Sequence, residues 1–144
     1  MRTIAISLLP ILWVVSSWVT AVAESNPTVS DPWIREAPPG AKALAGYMVL
    51  DNNRDVDINL VSASDPDFGM VMLHESVMDS GVMRMVHREE VRIPAKGRVS
   101  FEPGGLHLML MQPKRSFVAG DESMVTLVFA DGTKLTARFK VRKK

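Results

Sequence analysis

Four residues of this chain carry side chains suited to sharing one soft metal ion: His74, Met85 after ten intervening residues, then His107 and Met109 after twenty-one more. A thioether is a soft neutral donor and imidazole is borderline, a mixture that favours Cu(I) among biological metals. Hard cations require carboxylates instead. Structural zinc draws on thiolates or several histidines, and a blue-copper electron-transfer centre needs a cysteine sulfur. The chain has 3 histidines and no cysteine, so both are demoted.

The elements that must position these residues read as strands. In Leu106-His107-Leu108-Met109-Leu110-Met111 the leucines share one strand face and His107, Met109 and Met111 the other. With the leucines turned to a core, His107 and Met109 face away from it. They stand about 7 Å apart at the backbone, close enough to converge on one ion. His74 and Met85 fall on the arms of a predicted hairpin, 70–77 and 82–88, joined around Asp79-Ser80-Gly81. A two-residue turn at Asp79-Ser80 sets His74 directly across from Met85, with Cβ atoms about 5 Å apart. A three-residue loop ending at Gly81 shifts that register.

The 10 methionines divide by position. Met48, Met78 and Met124 read as core packing, the commonest role of methionine. Met70, Met72, Met83 and Met111 each lie two or four residues from a proposed ligand on the same strand face, where they would widen the site or guide copper into it. His87 shares the face of Met83 and Met85 and is a candidate extra ligand, although Arg88, Glu89 and Glu90 beside it mark a solvated strand end. Glu75 and Asp79 are placed to tune the site electrostatically.

Elsewhere the chain repeats the strand signal. Leu135, Ala137, Phe139 and Val141 alternate with Lys134, Thr136, Arg138, Lys140 and Arg142, the pattern of a half-buried strand. Further strands are expected at 33–36, 43–51, 56–63, 99–102 and 124–129, separated by Pro38-Pro39-Gly40, Asn52-Asn53, Asp65-Pro66-Asp67, Pro103-Gly104-Gly105 and Ala130-Asp131-Gly132. Such turn-rich segments mark strand ends. Many short strands about ten residues apart predict an all-β, single-domain antiparallel sandwich or small barrel with Greek-key connections. Residues 25–30 read as a flexible lead-in, and 37–41 as a Pro-Gly loop near the functional end.

Length and composition agree with one domain: 144 residues, 47% hydrophobic, are enough for a core. The stretch from Ile4 to Ala23 is apolar and uncharged, and Ala21-Val22-Ala23 has the form of a signal-peptide cleavage site. We read 1–23 as a secretory leader and 24–144 as the mature domain, with no stable membrane insertion after cleavage. The competing reading, an uncleaved anchor, is disfavoured by Pro10 and two mid-segment serines. Without cysteine there is neither a lipidated cysteine nor a disulfide to staple the domain. Loss of Arg2 with the leader leaves 16 basic against 16 acidic residues, so nothing points to nucleic acid, and Arg142-Lys143-Lys144 reads as a solvated end.

These residues also carry a resemblance. Leu73-His74-Glu75, Gly81-Val82-Met83-Arg84-Met85, Ile93-Pro94-Ala95-Lys96-Gly97 and Pro103-Gly104-Gly105-Leu106-His107-Leu108-Met109-Leu110-Met111 resemble the periplasmic copper chaperones of the PCu(A)C type. The family's motif falls on His74, Met85, His107 and Met109 without a gap. The resemblance runs from about Trp33 to Val141. It implies a cupredoxin-like Greek-key β-fold and one Cu(I) held near the surface by two His and two Met. It also implies periplasmic delivery to the Cu-A centre of cytochrome c oxidase subunit II, directly or alongside Sco-type proteins. Relatives with a His- and Met-rich tail bind Cu(II) as well, whereas this chain ends Phe139-Lys140-Val141-Arg142-Lys143-Lys144.

Two other classes share parts of this evidence. Copper buffering or detoxification would use the same donors without a dedicated acceptor. A secreted β-domain that binds a protein or peptide would leave the His and Met residues incidental. An enzyme is not expected, since no nucleophile, base and orienting group stand together and the histidines are best used as ligands.

Overall fold

The computed structural model describes residues 25–143; the proposed leader lies outside them. Ten strands are formed: β1 (Thr28–Arg35), β2 (Ala43–Asp51), β3 (Ile58–Ser64), β4 (Phe68–Asp79), β5 (Val82–His87), β6 (Val91–Ile93), β7 (Arg98–Phe101), β8 (Leu106–Pro113), β9 (Glu122–Phe129) and β10 (Lys134–Arg142). Seven of them run in the order β4-β8-β2-β1-β10-β9-β3, and Ala63 of β3 pairs Val71 of β4 to close the ring into a barrel. Only β1 and β10 pair in parallel among these. Strands β6 and β7 pair β3 and β2 outside this ring.

The barrel interior is apolar because one face of each strand is. Phe139 and Val141 on β10 are buried while Lys134, Thr136, Arg138, Lys140 and Arg142 face out, as strict alternation requires. Leu108 and Leu110 of β8, Leu50 of β2, Leu60 of β3, Val125 and Leu127 of β9 are each 0% exposed. Each such aliphatic residue contributes about 1.5–3 kcal/mol by leaving water. Met48 is buried as expected, but Met78 and Met124 stand exposed and do not pack the core.

Three strand assignments depart from the sequence expectation. Strand β1 starts at Thr28, within the expected lead-in, and accommodates Asp31-Pro32 by a register shift between Ser30 and Trp33, with Asp31 at φ 46°. A bulge lets an edge-breaking proline sit inside a paired strand. The short β6 has too few residues to show a period. The third departure is the hairpin register, which bears on the candidate site.

Strand β4 is the longest, with 12 residues. Its first half lies in the barrel wall against β8, while past Glu75, where pairing with Leu106 ends, it projects beyond the barrel end. There it carries only β5. The 76–87 segment is therefore an arm, joined to the barrel mouth by Ser76 N–H donating to Gly105 O at 3.0 Å.

Candidate metal centre

The arm turns at Ser80-Gly81, not Asp79-Ser80. Asp79 pairs Val82, and the register runs down to Ser76 opposite Met85 and His74 opposite His87. The reason is local: Ser80 and Gly81 have φ 50° and 81°, and a two-residue type I′ turn needs positive φ at both central positions with glycine favoured at the second. Met85 is therefore a diagonal neighbour of His74, and His87 is its direct partner. Gly81→Ala is expected to destabilise the arm by about 1–2 kcal/mol, since an alanine would pay the left-handed backbone penalty. No atom within 4 Å would clash with its Cβ. Thermal melting of the variant, with the arm's cross-strand contacts followed by NMR, checks this.

Across the other edge of β4, His74 pairs His107, Met72 pairs Met109 and Met70 pairs Met111. Three histidines thus form a row over β5, β4 and β8, flanked by thioethers. The ring centroids of His74 and His107 are 5.9 Å apart, and those of His74 and His87 are 5.7 Å apart. A metal–nitrogen bond of about 2 Å plus the ring radius allows two imidazoles on one ion at centroid separations of about 5–6.5 Å. His74 is therefore within reach of sharing an ion with either neighbour.

A cleft of about 440 Å³ opens between the arm and the barrel mouth, and Met83, Met85, His107 and Met109 line it together with Tyr47 and Arg35. The arm is open to solvent, with Met83 53% and Met85 60% exposed, whereas His107 is only 3% exposed. His107 does face away from the leucine core. It is nevertheless buried, at a cleft that it shares with Tyr47 and with Met83 and Met85 of the arm, so the expected surface ligand is an inner one. Met72 adjoins Met109 on the neighbouring strand without lining the cleft. Met111 lies two residues farther along β8, opposite Ala43.

Hydrogen bonding selects the donor atom. His107 Nδ1 lies 3.0 Å from Gly105 O, and a carbonyl can only accept, so Nδ1 carries the proton and Nε2 is left as a lone pair. That Nε2, and both ring nitrogens of His74, are buried without a hydrogen-bond partner. Unpartnered buried imidazole nitrogens are costly unless something else uses them. Burial, reinforced by His107 and His87, holds the His74 pKa below the usual imidazole value, which keeps it neutral and able to donate to a metal.

The proposed carboxylate tuning is not seen. Glu75 accepts from Arg88 Nε at 2.7 Å, and Asp79 pairs Arg84 at 3.3 Å. Among the described residues no three His, Asp or Glu side chains group so as to hold an ion alone. The donor set at hand is neutral nitrogen with thioether sulfur, which fits a soft monovalent ion. The Pro38-Pro39-Gly40 loop lines a different cavity, of about 1080 Å³, together with 112–118; its expected place beside the site is not observed. Neither Arg35 nor Tyr47 belongs to a spacing motif in the sequence; the pairing of β1 and β2 brings them to the cleft.

Comparisons with known proteins place this architecture. A family model described as "Putative lipoprotein LpqE-like" matches residues 27–141. An uncharacterized protein of Rickettsia prowazekii (strain Madrid E) is 36% identical over 98 residues, which cover 67% of this chain and 54% of that protein. A protein of Leifsonia xyli subsp. xyli described as a "Putative lipoprotein" is 34% identical over 106 residues, covering 73% and 63%. The chain thus matches between about half and two thirds of the length of these relatives. Among solved structures, the copper-bound PCuAC domain from PmoF2 superposes with a TM-score of 0.71 at 24% identity, over 85% of this chain and 97% of that one. The structure of CuI-DR1885 from Deinococcus radiodurans is 31% identical with a TM-score of 0.60, over 88% and 83%.

Proposed function

The chain belongs to the LpqE-like family and has the cupredoxin-like fold of PCuAC copper chaperone domains, and from that premise we propose that it is a copper carrier. One Cu(I) is held by His74, Met85, His107 and Met109 and passed in the periplasm to the Cu-A centre of cytochrome c oxidase subunit II, directly or with Sco-type proteins. The observation that carries this reading is the buried, unpartnered Nε2 of His107 in a cleft with Met85 and Met109, with His74, whose ring nitrogens are also buried and unpartnered, paired to it on the neighbouring strand outside the cleft lining. The similarity to a copper-bound domain and to a Cu(I) form supports it. Met83, which lines the cleft, and Met72, His87 and Met111 on the same strands are auxiliary donors to this set.

Four neutral donors leave the ion with its single positive charge, a weaker hold than thiolates offer. Copper therefore runs downhill to a cysteine acceptor, and the exposed Met85 is the ligand most readily displaced. The chain carries the ion and catalyses no reaction. Mixing the Cu(I)-loaded protein anaerobically with an apo Cu-A domain tests the direction. Copper appearing in the acceptor is expected. An acceptor that stays empty would favour buffering or detoxification, and failure of the wild type to load would leave a β-domain that binds something else.

Binding should weaken with acid. Both histidines must be neutral to coordinate, and an ordinary imidazole titrates near pH ~6.5. The lowered pKa of His74 delays its protonation to more acid pH than that value. The same shift makes the apo fold lose stability as pH falls through the unfolded-state value, because the unfolded chain binds the proton more readily. Chelator competition at neutral pH and at about pH 5 is expected to show lower Cu(I) affinity at the lower pH. Equal affinities would contradict histidine ligation.

A further inference from the structure

Nine arginines lie among the described residues. Eight meet a carboxylate: Arg54, Arg84, Arg88, Arg92, Arg98, Arg115, Arg138 and Arg142. The ninth, Arg35, meets none, and it is the one that lines the cleft with Met85, His107 and Met109. Its Nε and Nη2 are both buried and without a hydrogen-bond partner. These two atoms form one edge of the guanidinium, the edge that receives an anion side-on with two parallel hydrogen bonds. The adjacent carboxylate, Glu36, is turned away and accepts from Ala119 N at 2.9 Å.

The fold holds this edge in place. Ile34 pairs Gly46 and Ala45 pairs Met109, so Arg35 lies two strands from Met109 with only the short side chain of Ala45 between, about 10 Å at the backbone. The guanidinium lies over the Tyr47 ring at 5.6 Å, and Tyr47 packs against Trp33 at 4.6 Å. Arg35 is half-buried, and a guanidinium edge buried without a counter-ion or hydrogen-bond partner is costly; beside a bound monovalent copper it would also repel the ion. Both costs are relieved when an anion enters the cleft.

We propose that Arg35 is a positioning residue for copper release, receiving the anionic sulfur of an incoming cysteine acceptor beside the ion. The proposal rests on the copper reading above. In the step, the acceptor thiol gives its proton to solvent and its thiolate forms a Cu–S bond as a Cu–thioether bond to the protein breaks. Copper stays Cu(I) throughout and nothing is oxidised. Arg35 lowers the energy of the entering thiolate and does not ligate copper. A neutral acceptor gains nothing from it.

The test loads wild type, Arg35→Gln and Arg35→Lys with Cu(I) anaerobically. Stopped-flow transfer is then followed to a dithiol peptide and to an excess of an uncharged methionine-rich peptide. Arg35→Gln is expected to slow transfer to the dithiol about tenfold, in the range of electrostatic steering effects, and to leave transfer to the methionine peptide within about twofold, with Arg35→Lys between. Wild-type transfer to the dithiol should also slow as salt is raised. Equal dithiol rates for wild type and Arg35→Gln would overturn the proposal, as would equal slowing with both peptides. If Arg35→Gln fails to fold, a dithiol rate in the wild type that is indifferent to salt overturns it independently. A wild type that takes up no copper removes the carrier reading first and this one with it, which sets that failure apart from loss of the Arg35 effect alone.

Discussion

Changing His107 and Met109 together to alanine is expected to abolish stoichiometric Cu(I) binding. The affinity should fall by more than about a hundredfold, because disturbing only the outer partners of a metal ligand already costs about 10–100-fold. The pair stands out on structural grounds. His107 presents a lone pair at Nε2 fixed by the hydrogen bond of its Nδ1 to Gly105 O, and Met109 lies on the same face of β8 and in the same cleft. Neither belongs to the leucine core, so the far-ultraviolet circular dichroism of the apo variant should match that of wild type. Competition with a chromogenic Cu(I) chelator reads the affinity. A variant that still holds one equivalent as tightly as wild type would remove these two residues from the ligand set.

The residue between them has the opposite role. Leu108 is 0% exposed and pairs Gly46 on β2 and Leu73 on β4, so it ties three strands of the barrel together at the height of the site. Leu108→Ala should cost about 2–5 kcal/mol by lost transfer energy and an unfilled cavity. That is a large fraction of the 5–15 kcal/mol typical of a domain. Urea unfolding of the apo protein measures it. Added Cu(I) should recover part of the loss by mass action, since only the folded chain assembles the donors. A variant as stable as wild type would contradict the packing described for β8.

Much of this arrangement could be read from residue order, and the parts that could not have identifiable causes. Alternation in 106–111 and 134–142 is a backbone property, so the faces of β8 and β10 follow directly. The existence of the β4–β5 hairpin was equally legible, but its register was not. Asp79-Ser80-Gly81 accommodates more than one tight turn, and a shift of one turn position moved the residue opposite His74 from Met85 to His87. The preference for glycine at the second turn position was the available signal. Burial of His107 was hidden because the cleft at which it lies is assembled from distant parts of the chain. Arg35 was hidden for the same reason, since only the tertiary structure shows that the other described arginines have carboxylates and it does not. The Pro-Gly loop, assigned to the functional end from its composition alone, lines another cavity.

The central claim is that two imidazole nitrogens and two thioether sulfurs share one Cu(I). X-ray absorption at the copper edge of the anaerobically loaded protein addresses it most directly, because nitrogen and sulfur shells separate by bond length and the edge reports oxidation state. The account predicts a Cu(I) edge with two nitrogen and two sulfur scatterers. A shell of nitrogen and oxygen alone, or a Cu(II) edge under the same anaerobic loading, would contradict it.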